Sequence, residues 1–346
     1  MLLFHNDYNE MCHPKVLENM QRHSSMQLDG YGVDEICARA ANKIRRLCNN
    51  NDVAVHFLVG GTQANLTVID AALRPHQAAV GAHTAHINVH ETGAVEATGH
   101  KVIGLPSNDG KITAKQIERV AIEHREDASF EHIAQPKLVY ISNPTELGTI
   151  YTLSELEDIS ATCKKYGMLL FVDGARLGYG LAAKDNDVTL SDLARLTDVF
   201  YIGGTKVGAM IGEAVVISNP NVAEDFRYLI KQHGAMLAKG WLLGLQFDAL
   251  FEDDLYFEIS SHADKLADQI RDTLAQLGYQ LYVPGTTNQI FPILPNKLLD
   301  ELSKEFTFCE QMRIDEKYRV VRFCTSWATK QESVEALCSK LKSLSV

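Results

Sequence analysis

The sequence predicts an α/β protein: a mostly parallel central sheet in a large domain, followed by a smaller carboxy-terminal α+β domain. Three features carry that prediction. Between residues 53 and 218, short β-branched and aromatic runs alternate with helix-period segments, the pattern of parallel strands covered by helices on both faces. Several of these runs end at glycine beside a polar or charged residue, as strands do when their carboxyl ends open into a site. Beyond residue 277 the pattern changes to strand-like runs separated by helices near 296–305 and 330–344. Length agrees, since 346 residues with 46% hydrophobic content bury a full core and, at ~150 residues per domain, make two domains.

Residues 1–33 show no sustained period and contain Pro14 and the turn Asp29-Gly30-Tyr31-Gly32, so an extended arm with one short helix near 15–23 is expected. A helix over about 34–49 places Ile36, Ala40, Ile44 and Leu47 on one face. Residues 53–59 form a buried strand that runs into Gly60-Gly61-Thr62-Gln63-Ala64-Asn65 and an apolar helix to about 73. Strands follow at 78–81, 101–105, 137–142, 168–173, 198–202 and 213–218. Helices lie between them, notably at 113–124 and at 152–166, which opens with a cap candidate in Thr152-Leu153-Ser154-Glu155. Helices dominate 221–277, and 278–283, 289–294, 306–309 and 319–324 are the later strands. The expected units are an arm at 1–33, a large domain at 34–250 and a small domain at 251–346, divided inside or just after a helix.

A net charge of -11 opposes binding to nucleic acid or an anionic membrane, because either would be repelled over most of the exterior; small metabolites fit better. Seven cysteines, an odd count without C-x-x-C, indicate neither a disulfide framework nor a zinc ribbon and suit a reducing compartment. The segment MLLFHNDYNE has no basic n-region, and no apolar run approaches the ~18 residues needed to span a bilayer, so a cytoplasmic location is expected.

Chemistry concentrates where two core strands end. Leu169-Leu170-Phe171-Val172-Asp173-Gly174-Ala175-Arg176 and Asp198-Val199-Phe200-Tyr201-Ile202-Gly203-Gly204-Thr205-Lys206 deliver an aspartate and a lysine to one rim. A partly desolvated lysine forms a Schiff base with an aldehyde, and a carboxylate keeps a pyridine nitrogen protonated, so the pair suits pyridoxal 5'-phosphate (PLP). Lys206 is then the Schiff-base lysine and Asp173 the pyridinium partner; taken singly, each also reads as a solvated strand-end charge. The strand, glycine turn and helix at 53–73 gather backbone N–H groups and a positive dipole end at one point, which holds a phosphate or is a plain tight turn.

His83, His86 and His90 fall at i, i+3 and i+7, one face of a helix, and read as metal ligands, as a ring stacked on a flat cofactor, or as surface histidines. Without H-E-x-x-H or a matching cysteine or carboxylate cluster, no metal is expected. Arg176 follows Asp173, and Arg322 sits in the apolar run Val320-Val321-Arg322-Phe323-Cys324, where a charge needs a partner. A guanidinium fork fits a carboxylate bidentately, so an amino-acid substrate accounts for both. A nucleotide-binding or metal-dependent α/β enzyme built on the 60–65 turn and the histidines is the rival reading from another class.

G-G-T-Q-A-N at 60–65, A-H-x-x-x-x-E-x-G at 85–93, V-D-G-A-R at 172–176, T-K-x-G at 205–208 and V-R-F-C-T-S-W at 321–327 occur in that order. Together they closely resemble the threonine aldolase branch of the fold-type I PLP enzymes, the group also called β-eliminating lyases. The resemblance covers nearly the whole chain. It implies Lys206 as the cofactor lysine, Asp173 at the pyridine nitrogen, His86 stacked on the ring, and Gly61, Thr62 and Gln63 around the phosphate. Arg176 and Arg322 would hold the substrate carboxylate, and Tyr31 occupies a position similar to one the family places near the site. Homodimers or homotetramers with shared active sites are implied too. The implied activity is carbon-carbon cleavage of L-threonine, L-allo-threonine and related β-hydroxy-α-amino acids to glycine and an aldehyde, with β-elimination on another amino acid as the alternative.

Three positions depart from the family pattern. Asn6 stands where a serine is usual before the aspartate, and its amide can still donate to the substrate carboxylate. Glu146, in Asn143-Pro144-Thr145-Glu146-Leu147-Gly148-Thr149, replaces a histidine that faces the substrate hydroxyl, and becomes the candidate base. Met236-Leu237-Ala238-Lys239-Gly240 replaces a Met-Arg element that reaches a neighbour's phosphate, with Lys239 as the candidate substitute charge.

Overall fold

The computed structural model describes residues 1–345. A two-residue arm strand, Leu2–Leu3 (β1), precedes the seven strands of the central sheet: Ala54–Leu58 (β2), Gln77–Ala82 (β3), Lys101–Leu105 (β4), Gln135–Ser142 (β5), Leu169–Asp173 (β6), Val199–Gly203 (β7) and Glu213–Ile217 (β8). Their spatial order is β2-β8-β7-β6-β5-β3-β4. Only β8 runs antiparallel to its neighbours, β2 and β7; the remaining pairs are parallel. Every residue of β3, β7 and β8 is buried, which is why, after the polar residues Gln77 and Glu213 that open β3 and β8, these strands read as continuous apolar runs rather than alternating ones.

Local chemistry sets the covering helices. Thr113, Thr152 and Thr189 each accept from the amide three residues on and are answered by Gln116, Glu155 and Asp192, so capping boxes start the helices Ala114–Glu126, Leu153–Tyr166 and Leu190–Leu196. The second of these stops at Gly167, whose φ of 66° is open to glycine at little cost, and the chain turns directly into β6.

The later strands are Gln289–Ile290 (β9), Ile293–Pro295 (β10), Phe306–Thr307 (β11), Cys309–Arg313 (β12) and Tyr318–Cys324 (β13). β10, β13 and β12 make an antiparallel sheet, β9 pairs with β13, and β1 returns from the arm to lie parallel to β11. Two apolar cores result, and the helix Leu255–Gln276 belongs to both. Tyr256, Ile259 and Ala263 pack under the central sheet, whereas Leu266, Ile270 and Leu274 pack with Phe4, Val321 and Phe323. The arm is therefore anchored by an aromatic residue in the second core.

Several expectations change. Residues 278–283 are not a strand; Leu281 makes only an isolated bridge to Pro292. The helical stretch expected at 221–277 is four helices, Pro220–Ala223, Phe226–Gln232, Trp241–Leu250 and Leu255–Gln276. The three histidines do not share a helical face, since the only helix there is His86–Val89 and the His83 amide is bonded to the Leu105 carbonyl at 2.6 Å. No group of histidine, cysteine and carboxylate side chains suited to a metal, and no helix long and apolar enough to cross a membrane, occurs among the described residues.

Candidate active site

β6 and β7 lie side by side, with Phe171 opposite Val199 and Val172 opposite Phe200, so the residues that follow them emerge together. Asp173 ends β6 and is 4% exposed. Its Oδ2 accepts from the Tyr140 hydroxyl and from Asn65 Nδ2 at 3.0 Å, and its Oδ1 accepts from the Ala175 amide at 2.9 Å. Burial alone would raise this carboxyl; the adjacent His86 and hydrogen bonds from Tyr140, Tyr201 and Ala175 outweigh it and hold the group below its ordinary range. Asp173 is thus an anion in a nearly dry setting, fixed in orientation.

Lys206 lies in the turn between β7 and β8, its carbonyl accepting from the Tyr179 hydroxyl at 2.6 Å. Desolvation and Arg176 depress its ammonium pKa against the pull of Asp7, Asp173 and Glu213. A depressed amine is nucleophilic nearer neutrality. Both residues open on a cavity of about 310 Å³ whose lining includes Gly60, His86, Glu146 and Arg176, within the size range of small-molecule sites.

At one wall stands the amino end of the helix Gly61–Ala72. Gly60 caps it without any side-chain hydrogen bond, which leaves the first helical amides, those of Gly61, Thr62 and Gln63, as donors for a ligand. The Gly60 φ of -169° is extended backbone open to any residue, so flexibility does not require glycine here. A Cβ on Gly60 would meet nothing within 4 Å, so the space beside this cavity-lining residue is open. An anionic group of phosphate size fits these donors. The Gln63 side chain takes no part, because its Oε1 accepts from the Val59 amide and its Nε2 donates to the His233 carbonyl, both at 3.2 Å.

His86 and Glu146 face each other across the cavity edge. The His86 Nδ1 is 2.8 Å from Glu91 Oε1, which also accepts from Asn65 Nδ2 at 2.7 Å, so one buried chain of contacts runs from His86 through Glu91 and Asn65 to Asp173. Glu146 Oε1 accepts from the His86 amide at 2.9 Å and the Ser142 hydroxyl at 2.7 Å, while its Oε2 is buried without a partner. Burial, with Asp173 adding to it against the Ser142 hydrogen bond, raises the Glu146 carboxyl.

The arginines differ. Arg176 reaches the cavity, but its Nε and Nη2 are closed on Asp7 at 2.7 and 3.0 Å, which leaves Nη1 as the part not engaged by that pair. Arg322 donates from Nη2 to the His5 carbonyl at 2.9 Å and from Nη1 to Gln289 Oε1 at 3.3 Å, and its buried Nε has no acceptor. Asn6 turns its Oδ1 to the Tyr8 amide at 3.0 Å. Asn6, Gln63, Arg322, Tyr31 and Lys239 do not line this cavity. The Tyr31 amide is bonded to the Ala238 carbonyl at 3.2 Å, and Tyr31 instead lines a separate surface cavity with Met236 and Gly240. Lys239 is exposed beside it.

Sequence reasoning passed over Asp7, Asn65, Glu91, Tyr140, Tyr201 and Glu213. Asn65 and Glu91 belong to motifs already noted, so a buried amide and acid inside those motifs were the available signal. Tyr140 and Tyr201 look like ordinary core aromatics within their strands.

A lysine and an ionised aspartate at the ends of adjacent parallel strands, beside an uncapped helix terminus in a seven-stranded sheet of this order, define a PLP-dependent enzyme of fold type I. The sequence profile described as Beta-eliminating lyase matches residues 12–295. The chain is 30% identical over 346 residues to a low specificity L-threonine aldolase of Pseudomonas sp., covering 98% of this chain and 96% of that one. It superposes on the solved structure of a Leishmania major threonine aldolase with a TM-score of 0.97 at 47% identity, covering 100% of both chains. A histidinol-phosphate aminotransferase of Clostridium acetobutylicum, 15% identical with a TM-score of 0.75 over 100% of this chain and 99% of that one, shares the fold. The chain belongs to the β-eliminating lyase family, in its threonine aldolase branch, and is a PLP-dependent lyase.

Proposed function

We propose that this enzyme cleaves L-threonine, L-allo-threonine and related β-hydroxy-α-amino acids to glycine and an aldehyde. The observation that carries the proposal is the convergence of Lys206, Asp173, Glu146 and the uncapped helix terminus on one cavity, in a chain whose relatives are named for threonine cleavage.

When bound, PLP supplies covalent capture of the amino group and an electron sink that lets the Cα–Cβ bond break. The remaining work belongs to the protein. Lys206 Nζ would be the attachment point for the cofactor. The amides of Gly61, Thr62 and Gln63 hold the phosphate, and Asp173 holds the proton on the pyridine nitrogen. His86, steadied through Nδ1 by Glu91, covers one face of the ring. Nη1 of Arg176, which lines the cavity, anchors the substrate carboxylate, with Arg322 and Asn6 as further donors from outside that lining. That anchor would fix the orientation of the substrate about Cα, so geometry would select the bond that breaks.

Glu146, which lines the cavity, takes the proton from the β-hydroxyl on its carboxylate. A carboxylate serves as a base near neutrality when its pKa is raised toward the working range, and the burial of Glu146 provides that. Tyr31 and Lys239 act on a neighbouring subunit's cavity in a homodimer or homotetramer with shared sites. Tyr31, Val33 and Tyr228 leave an apolar face 49%, 64% and 74% exposed for that contact. A cytoplasmic location agrees with seven cysteines that are all unpaired.

The test is product analysis with L-threonine and L-allo-threonine, together with Glu146→Gln. Glycine and acetaldehyde in equal amounts are expected from the wild type, and ammonia with a keto acid would point to elimination instead. Glu146→Gln should cut kcat on threonine about a hundredfold while leaving glycine binding, which involves no hydroxyl, within a few-fold. Equal small losses in both would remove Glu146 from the proton transfer.

A further inference from the structure

Glu213 is a buried carboxyl to which the reading above gives no task. It opens β8, is 4% exposed, and pairs with Leu58 on one side and Gly203 on the other. It therefore stands between the strand that feeds the glycine turn and the strand that feeds Lys206. The other four residues of β8 are apolar and buried, so an acid here is an exception that needs a reason. Its Oε2 accepts from the Gly204 amide at 3.0 Å, an amide that also reaches the Gly212 carbonyl at 3.0 Å. The partner is thus an amide of the very turn that presents Lys206, and Glu213 lines the same cavity as that lysine. On the opposite side, the Tyr256 hydroxyl donates to the Gly203 carbonyl at 2.8 Å, so the turn is gripped from two directions.

We propose that Glu213 is a positioning residue for Lys206: it clamps the turn at residues 203–205 from which the lysine projects, and it sets the pH range over which the Lys206 nitrogen carries a proton. The proposal rests on Lys206 being the lysine that carries PLP. The titratable groups facing Glu213 are Lys206 in the turn, Asp173 at the end of β6, Tyr201 on β7 and Tyr256 on the helix Leu255–Gln276. Burial pushes the Glu213 carboxyl up to about 8 against the pull of Lys206. It holds its proton to higher pH than an ordinary glutamate, and once ionised it is an anion beside Lys206. An anion there favours the cationic form of the neighbouring nitrogen and an uncharged acid does not, so the two titrations are linked.

The experiment follows the visible absorption band of the holoenzyme against pH in the wild type, Glu213→Gln, Glu213→Asp and Lys206→Ala. Glu213→Gln keeps an oxygen for the Gly204 amide but loses the charge, so the midpoint of the band's pH titration should fall by about one pH unit. Glu213→Asp keeps the charge but is too short to hold the amide, so PLP affinity, read from quenching of protein fluorescence, should weaken about fivefold. An unchanged midpoint in Glu213→Gln overturns the tuning role, and an unchanged affinity in Glu213→Asp overturns the clamp. A band with its normal titration in Lys206→Ala overturns the reading beneath both, which separates that failure from a failure of Glu213 alone.

Discussion

Asp264, on the helix Leu255–Gln276, is 5% exposed and neither of its carboxylate oxygens has a hydrogen-bond partner. Burial pushes its pKa up to about 9, with Asp268 and Asp185 adding to the effect and Arg271 opposing it. The native value lies above the unfolded one of about 4, so the stability tied to this proton is present in full below about pH 4 and drains away as pH climbs toward 9. Asp264→Leu should therefore stabilise the protein at pH 8 by ~1–3 kcal/mol, and should flatten the fall in urea midpoint between pH 6 and 9; an unchanged slope would show that Asp264 is solvated. Asp173→Asn should retain PLP but lose about a hundredfold in kcat, since an amide cannot keep the pyridine nitrogen protonated; unchanged kcat would require another partner for that nitrogen. At this scale the charged strand-end residues were legible because an acid and a lysine at the ends of apolar runs stand out. Asp7, Tyr140 and Glu213 were not. Asp7 meets Arg176 across 169 residues of chain, and an isolated acid or tyrosine gives no local sign of such a partner.

The strand-to-helix turn at Gly60 is the element on which cofactor retention turns. Gly60→Val fits the extended backbone there and adds bulk at a residue that lines the cavity, so it should weaken PLP binding at least about tenfold while moving Tm by no more than ~2 °C. A valine variant that binds PLP normally would place the phosphate elsewhere. The central strands were readable from sequence because a fully buried strand needs apolar side chains on both faces. The strand Cys309–Arg313 was not, since four of its five residues are exposed and only its pairing with β13 makes it a strand. The histidine segment misled for a related reason. Its spacing is helical, but pairing of the His83 amide with the Leu105 carbonyl extends the β3–β4 edge and delays the helix to His86.

At the scale of the molecule, the site as one chain builds it has a lysine, an ionised aspartate and a set of helix amides, while Tyr31 and Lys239 sit on another face. The proposed assembly predicts a dimer or tetramer in light scattering at assay concentration, with Lys239→Ala lowering PLP affinity although the residue does not line its own chain's cavity. A fully active monomer would contradict it. The division of the two cores within one long helix explains why composition alone offered no linker to read between them. The central claim is that Lys206 carries the cofactor, and one measurement reaches it directly. Borohydride reduction of the holoenzyme, followed by digestion and mass spectrometry, should find the pyridoxyl group on the peptide that contains Lys206 and on no other. A pyridoxyl group on a different lysine, or none retained on the chain, would contradict the account.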